Sequence, residues 1–306
     1  MKSMCVADNG QALIEKETPR PAPQAGQILI RVQAAGVTTT ELAWEPTSHT
    51  KEGGKRTAAI PSHEFSGEIA GLGEGVTGWK MGQEVYGMND WYDDGALAEF
   101  CITQPGWIAP KPKSLSHAEA ASFPISALTA RQGLFDRAHL QAGERVLIHG
   151  GAGAVGTLAI QLAHRAGAHV ITTVSARDID FVKGLGADEA IDYKAAPFEQ
   201  SVRDIDVVFD VVGGETLKRS WSVLKKNGRL ITIASGDEST ADDRTKKAFF
   251  IVEPDRSQLT EVGELADNGK IQPIVDTVLP FAQAPLAYSG KLEKKGRGKL
   301  VVAVTE

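Results

Sequence analysis

The chain has 306 residues, 42% hydrophobic and 24% charged, which fits ordinary globular usage and, at this length, two domains rather than one. A net charge of −6 argues against a nucleic-acid or anionic-membrane surface, and the basic run KLEKKGRGK (291–299) reads as a solvated helix end. Cys5 and Cys101 are too few for a disulfide framework or a four-cysteine zinc site. MKSMCVADNGQ lacks a signal-peptide core and no stretch reaches the roughly 18 apolar residues of a membrane span, so a soluble, cytoplasmic protein is expected.

Residues 1–110 carry short alternating runs, Gln27–Gln33 (QILIRVQ), Glu68–Ala70 and Ala98–Ile102, punctuated by Pro and Gly. Strands so short and so closely spaced leave no room for helical crossovers. Glycines at 67, 71, 73, 75, 78, 82 and 87 mark tight turns, which predicts a small irregular barrel rather than an open sheet. Ser116-His117-Ala118-Glu119 fits a capping box, so a helix is expected from there, interrupted by Pro124 before a second helical run from Ser126 to Ala138. The domain change is placed between these helices.

Arg145–His149 is a β-branched apolar run that breaks directly into Gly151-Ala152-Gly153-Ala154-Val155-Gly156, a G-x-G-x-x-G match. From Val155 apolar residues recur at helical spacing (Leu158, Ala159, Leu162, Ala163, Ala166), Gly167 ends the helix, and His169–Val174 (HVITTV) follows as a second strand. In this reading Gly151 permits the turn, Gly153 lets a pyrophosphate approach the backbone, and Gly156 lets helix and strand pack closely, with the anion on free N–H groups at the helix start. A whole βαβ unit favours dinucleotide binding; the alternative is a structural turn without a ligand.

The alternation continues with a helix at Asp178–Leu185, strands at Glu189–Tyr193, Val207–Val212 and Arg229–Ala234, and a helix over Gly214–Lys225. VVFDVV is apolar on both faces, as parallel strands covered on both sides require. With Phe249–Val252 (FFIV), six strands complete a doubly wound sheet, and FFIV is also a candidate edge that pairs across a homodimer. Ser235, ending the fifth strand, is placed to contact a nicotinamide. The polar loop Gly236–Lys247 either closes over substrate or is a solvated crossover.

Cofactor choice is read at the end of the second strand, where an enzyme using NAD places an acid against the adenosine ribose. Here Ser175-Ala176-Arg177 offers a hydroxyl and a guanidinium, which suit the 2′-phosphate of NADPH. Asp178 is expected to open the next helix, complementing its dipole.

AAGVTTTEL (34–42), IPSHEFSGEIAGLGEGVTGWKMGQEVYGM (60–88), GALAEF (95–100), SALTARQGL (126–134), the glycine turn and GKLVVAV (298–304) together resemble the medium-chain dehydrogenase/reductase superfamily, in particular its zinc-free quinone oxidoreductase branch. The resemblance covers nearly the whole chain. It implies a GroES-like, β-rich barrel built from residues 1–121 and 255–306 around a Rossmann domain at 122–254. It also implies that Thr129 faces the nicotinamide end, against a plain role in helix packing. Tyr193 is placed at the adenosine end and Arg297 near it, each with a surface role as the alternative. Thr38, Thr40, Trp44 and Tyr86 lie in segments that border the cleft of relatives, the aromatics being either core or pocket, and Thr38, Tyr86 and Thr129 are the catalytic candidates the resemblance implies.

Zinc-dependent members would carry a Cys where this chain has Thr38, a His where it has His63, and a further Cys or acid before the cofactor domain. One ligand of three does not hold a catalytic zinc, so no metal is expected. His63 and Glu64 are then expected to be a retained hydrogen-bonded pair. No histidine shows triad spacing. The expectation is an NADPH-dependent reductase of a quinone or an α,β-unsaturated carbonyl, acting by positioning and hydrogen bonding. The alternatives are a zinc-type alcohol dehydrogenase and a non-catalytic dinucleotide-binding protein.

Overall fold

The computed structural model describes residues 1–7, 10, 12–234, 242–292 and 296–305. The chain divides into two compact units, residues 1–125 with 253–306, and residues 126–252, against expected boundaries at 121/122 and 254/255.

The first unit holds the strands β1 (Lys2–Val6), β2 (Leu13–Glu17), β3 (Ile28–Val37), β4 (Glu64–Leu72), β5 (Glu84–Met88), β6 (Phe100–Thr103) and β7 (Ile108–Pro110). The second holds β8 (Arg145–His149), β9 (His169–Val174), β10 (Glu189–Asp192), β11 (Ile205–Asp210) and β12 (Leu224–Thr232), and the returning chain adds β13 (Val275–Pro280) and β14 (Lys299–Ala303) to the first.

In the first unit the strand order is β13-β14-β3-β4-β5-β7, with β6 also on β3, and β14 lies antiparallel to β3. Strand β3 is therefore central, which its near-continuous burial reflects. Ile28, Ile30, Val32, Phe65, Val85, Leu97 and Val302 fill the main core of this sheet. The expected capping box is present: Ser116 Oγ accepts from Glu119 N–H and Glu119 returns to the Ser116 N–H, starting the helix His117–Ala121. Pro124 opens the next helix, Pro124–Arg131, at a first-turn position where its missing N–H costs nothing.

The second unit is a five-stranded parallel sheet in the order β10-β9-β8-β11-β12. Every residue of β11 is buried, as a strand covered on both faces requires. The expected sixth strand is reduced to a single parallel bridge from Phe249 to Thr232, with Phe250 N–H on the Thr232 carbonyl. The helix expected over Gly214–Lys225 is α-helical to Ser220 and ends in a tighter helical turn at Trp221–Val223, because β12 already begins at Leu224.

Candidate active site

In the second unit β8 ends at His149 and the chain turns through Gly150–Gly153 into the helix Ala154–Arg165. The left-handed backbone of the turn is at Gly150 (φ 73°), the residue before the Gly151 that the motif reading assigned to the turn. Gly151 is required for another reason: a Cβ there would lie 2.1 Å from Thr172 Oγ1 on β9. A Cβ on Gly156 would meet the Gly150 carbonyl at 2.2 Å, so this glycine does let the helix close onto the turn. Gly153 is the N-cap residue and a Cβ on it would meet only the Gly150 carbonyl, at 3.4 Å, leaving the backbone there open to approach. Ala152, Gly153, Ala154 and Val155 are all half-buried along this rim. The N-terminus of a 12-residue helix beside an open glycine rim fits the pyrophosphate of a nicotinamide dinucleotide.

Beside the turn stand the ends of β9 and β10. Ser175 Oγ donates to Asp178 Oδ2 at 2.7 Å, and Arg177 Nε approaches the same oxygen at 3.4 Å. Asp178 is at the cap position of the helix Ile179–Gly184, the helix start expected of it, and its side chain makes no capping bond there. It is buried against the two groups assigned to the 2′-phosphate. Tyr193 N–H bonds the Val174 carbonyl, which sets Tyr193, 56% exposed, next to this corner with Lys194 over its ring. Thr129 is buried in the helix Pro124–Arg131. Ser235 and residues 236–241 lie outside the described residues, and the rest of that segment forms the helix Asp243–Ala248.

The first unit contains two buried charge networks that the sequence reading did not anticipate. In one, Glu41 is fully buried: Oε1 accepts from Ser62 N–H (3.0 Å) and the Tyr288 hydroxyl (2.5 Å), and Oε2 is 2.8 Å from His63 Nδ1. Ser62 sits in left-handed backbone (φ 65°), and its hydroxyl is 2.9 Å from that of Tyr288. Burial, with Glu41 beside it, holds the Tyr288 phenol well above its ordinary range. His63 Nε2 faces the Asp93 carbonyl at 3.1 Å, and the ring packs 5.0 Å from Trp91, itself edge-on to Trp44.

In the other network Glu64 Oε1 is 2.5 Å from Lys299 Nζ, and Oε2 accepts from Ile125 N–H at 2.8 Å. Burial pushes the Glu64 carboxyl upward, opposed by the Lys299 ammonium and the Ile125 N–H. Lys299 also donates to Thr38 Oγ1 at 3.1 Å. Thus His63 and Glu64, expected to pair with each other, take separate partners on opposite sides of the sheet's alternation. Thr40 is exposed. Tyr86, expected at the cleft, is instead core: it is fully buried, stacked on Phe123, and donates to the Leu259 carbonyl at 2.5 Å. Arg297 lies just before β14, its N–H on Asp276 Oδ2.

A zinc-binding dehydrogenase model matches residues 185–302, and an alcohol dehydrogenase GroES-like domain model matches residues 24–113. The chain is 33% identical to a mitochondrial NAD(P)H oxidoreductase of Danio rerio, over 92% of its length and 84% of the relative. It is 32% identical to a 2-methylene-furan-3-one reductase of Solanum lycopersicum, over 99% and 79%. A quinone oxidoreductase structure from Coxiella burnetii superposes with a TM-score of 0.89 at 30% identity, covering 100% of this chain and 99% of that one. The chain belongs to the medium-chain dehydrogenase/reductase superfamily.

Many members of this superfamily use zinc, so the donor set is the relevant test. Thr38 offers a neutral hydroxyl where a thiolate is needed. Both ring nitrogens of His63 already face oxygen atoms, Glu41 Oε2 at 2.8 Å and the Asp93 carbonyl at 3.1 Å, so a metal would have to displace one of these contacts. Both oxygens of Glu64 are engaged by Lys299 and Ile125. Among the described residues, no group of three or more His, Cys, Asp or Glu could hold a metal. These residues do not fit a catalytic zinc. The networks were hidden because their members are far apart in sequence; Glu41, within AAGVTTTEL, was the one local signal, an acid in a segment otherwise entering the core.

No helix among the described residues is long and apolar enough to cross a membrane.

Proposed function

We propose that this superfamily member is a zinc-independent reductase that passes hydride from NADPH to a quinone or an α,β-unsaturated carbonyl, as a cytoplasmic homodimer. The observation that carries the reading is the donor set at Thr38, His63 and Glu64, which supplies hydrogen bonds and buried charge but no metal ligands, alongside a dinucleotide turn that fits a cofactor. The names of the tomato and Coxiella burnetii relatives, a furanone reductase and a quinone oxidoreductase, support the same acceptor class.

A bound nicotinamide dinucleotide supplies the hydride. The Gly151–Gly156 rim and the helix N-terminus bind its pyrophosphate, Ser175 and Arg177 take the 2′-phosphate, Tyr193 packs at the adenosine, with Arg297 assigned to the same end, and Thr129 and Ser235 serve the nicotinamide. Asp178 fixes Ser175 and Arg177 in place but adds a negative charge, so the expected preference for NADPH is modest. Thr38 donates a hydrogen bond to the oxygen on which charge develops. Quinones and enones suit such a site because their product anions are delocalised, whereas an isolated ketone would need a Lewis acid or strong proton donor. Two buried free cysteines accord with a reducing compartment, and Ile251, exposed beside the β12 edge, accords with pairing between copies.

The test is NADPH consumption with 1,4-benzoquinone, a 2-alkenal and acetone, with NADPH and NADH dissociation constants measured in parallel. Turnover is expected with the first two only, and Arg177→Ala should weaken NADPH by about 1–3 kcal/mol while sparing NADH. Tight NADPH binding with silence toward every quinone and enone would overturn the reading in favour of a binding protein.

A further inference from the structure

The reductase reading needs a donor at the acceptor oxygen, and the first unit shows how one is built. Leu300 pairs with Val37 and Val301 with Gly36 in the β14–β3 ladder, so Lys299 continues the ladder opposite Thr38. Gly36 in turn pairs with Glu64 on β4. Glu64 belongs to a different strand from Lys299, with β3 between them. Its side chain reaches across because position 36 has no Cβ: one built there would lie 2.6 Å from both Glu64 Cγ and Oε1. The carboxylate that arrives is held by the Ile125 N–H at 2.8 Å and holds Lys299 Nζ at 2.5 Å, and Lys299 and Glu64 are 8% and 0% exposed.

An ammonium can only donate. The 3.1 Å contact between Lys299 Nζ and Thr38 Oγ1 therefore makes Thr38 the acceptor, and its hydroxyl proton remains to be donated elsewhere. Among the described residues that proton has no acceptor, and Thr38 is half-buried where Lys299 is buried. We propose that Lys299 is a positioning residue: anchored by Glu64 across Gly36, it binds the lone pair of Thr38 and so turns the Thr38 hydroxyl into an oriented, polarised hydrogen-bond donor for the oxygen of the hydride acceptor. The inference rests on the reductase reading and adds to it the group behind the donor. A buried cation 3.1 Å from the hydroxyl oxygen draws charge from the O–H bond, and the hydrogen bond to an oxyanion strengthens as charge accumulates there, which favours the transition state over bound substrate.

Steady-state kinetics with 1,4-benzoquinone and a 2-alkenal at saturating NADPH decide the matter. Thr38→Val should lose about a hundredfold in kcat, the scale of removing one oxyanion donor, while Thr38→Ser keeps most of it. Lys299→Met should lose about tenfold in kcat with KM and NADPH affinity nearly unchanged, the split expected of a contact made in the transition state. The double variant Thr38→Val/Lys299→Met should be no slower than Thr38→Val, because Lys299 acts through Thr38 alone. Losses that multiply in the double variant, or that appear in KM instead of kcat, overturn the proposal. Because Lys299→Met strands a buried carboxylate, Lys299→Met/Glu64→Gln is measured beside it and should show the same kcat loss. Should neither Lys299 variant fold, Thr38→Val decides alone, since wild-type kcat in that variant overturns the proposal. Silence of the wild type with every acceptor would sink the reductase reading itself, whereas wild-type turnover with an unaffected Thr38→Val sinks only this inference.

Discussion

The two units place their chemistry in different parts of the chain. In residues 126–252 the proposed pyrophosphate site is made of main-chain N–H groups of one contiguous turn, where side chains matter by being absent at Gly150, Gly151 and Gly156. In residues 1–125 and 253–306 the proposed chemistry is carried by side chains delivered from separate elements, Lys299 lying 261 positions after Thr38 and Tyr288 247 positions after Glu41. A backbone site is cheap in burial because its donors already belong to a helix end. A side-chain site inside a sheet must bring charges out of water, and is stable only when every partner is in place.

That difference predicts where the molecule is most easily broken. Glu41→Leu removes the acceptor for three donors, the Ser62 N–H, the Tyr288 hydroxyl and the His63 ring, all of them buried or nearly so. Breaking a buried pair from one side costs about 3–5 kcal/mol, the largest single-site loss expected here. Denaturant unfolding should show the unfolding free energy of the first unit falling by that amount. A loss below about 1 kcal/mol would mean that the network is solvated and that the contrast between the units is false.

The second unit has its own buried titratable group, and acid should single it out. His149 is fully buried on β8, with Nδ1 2.9 Å from Thr173 Oγ1 and Nε2 2.9 Å from Ser220 Oγ. Both partners are hydroxyls, which suit a neutral ring, and burial with Arg219 nearby lowers its pKa from 6.5 to about 3. The sign follows from proton counting: below 6.5 the unfolded chain binds a proton that the folded ring refuses. Stability should therefore fall by about 1.4 kcal/mol per pH unit as pH drops through that window, levelling off near the folded value. Other groups titrate in the same range, so the measurement is the difference in slope between wild type and His149→Asn, from about pH 6 to about pH 4. Equal slopes would show that the ring is protonated in the folded chain.

How much of this was legible follows from the same contrast. The glycine turn, the capping box at Ser116 and the alternation of strand and helix after Arg145 depend on neighbours in sequence, and each could be read directly. Even there the left-handed residue, Gly150, was not singled out, since HGGAGAVG offers four glycines and φ is not written in residue type. Asp210 was read as part of an apolar run, yet its carboxylate accepts from the Gly213 N–H and the Thr232 hydroxyl and shapes the turn after β11. The networks around Glu41 and Glu64 were not legible, because the first depends on Tyr288 in the helix Ala284–Tyr288 and the second on β14 joining β3, both contacts between the two ends of the chain. Asp178 was placed at the right helix end, but that its carboxylate also takes the Ser175 hydroxyl and the Arg177 guanidinium was not read.

Tyr86 gives the smallest expected effect and the sharpest check on which aromatics belong to the site. Its position in EVYGM, bordering the cleft in relatives, suggested a catalytic phenol, but its hydroxyl reaches the Leu259 carbonyl, and the helix Arg256–Asp267 comes so close that a Cβ on Gly263 would lie 2.9 Å from that hydroxyl. Burial raises the phenol far above its ordinary range, which favours the neutral donor it already is. Tyr86→Phe keeps the ring stacked on Phe123 and removes only one hydrogen bond, so unfolding should lose about 1 kcal/mol. The kcat for benzoquinone should stay at the wild-type value, in contrast to Thr38→Val, since the phenol faces the core of its unit. A fall in kcat comparable to that of Thr38→Val, with stability unchanged, would return Tyr86 to the site and place a second donor beside Thr38.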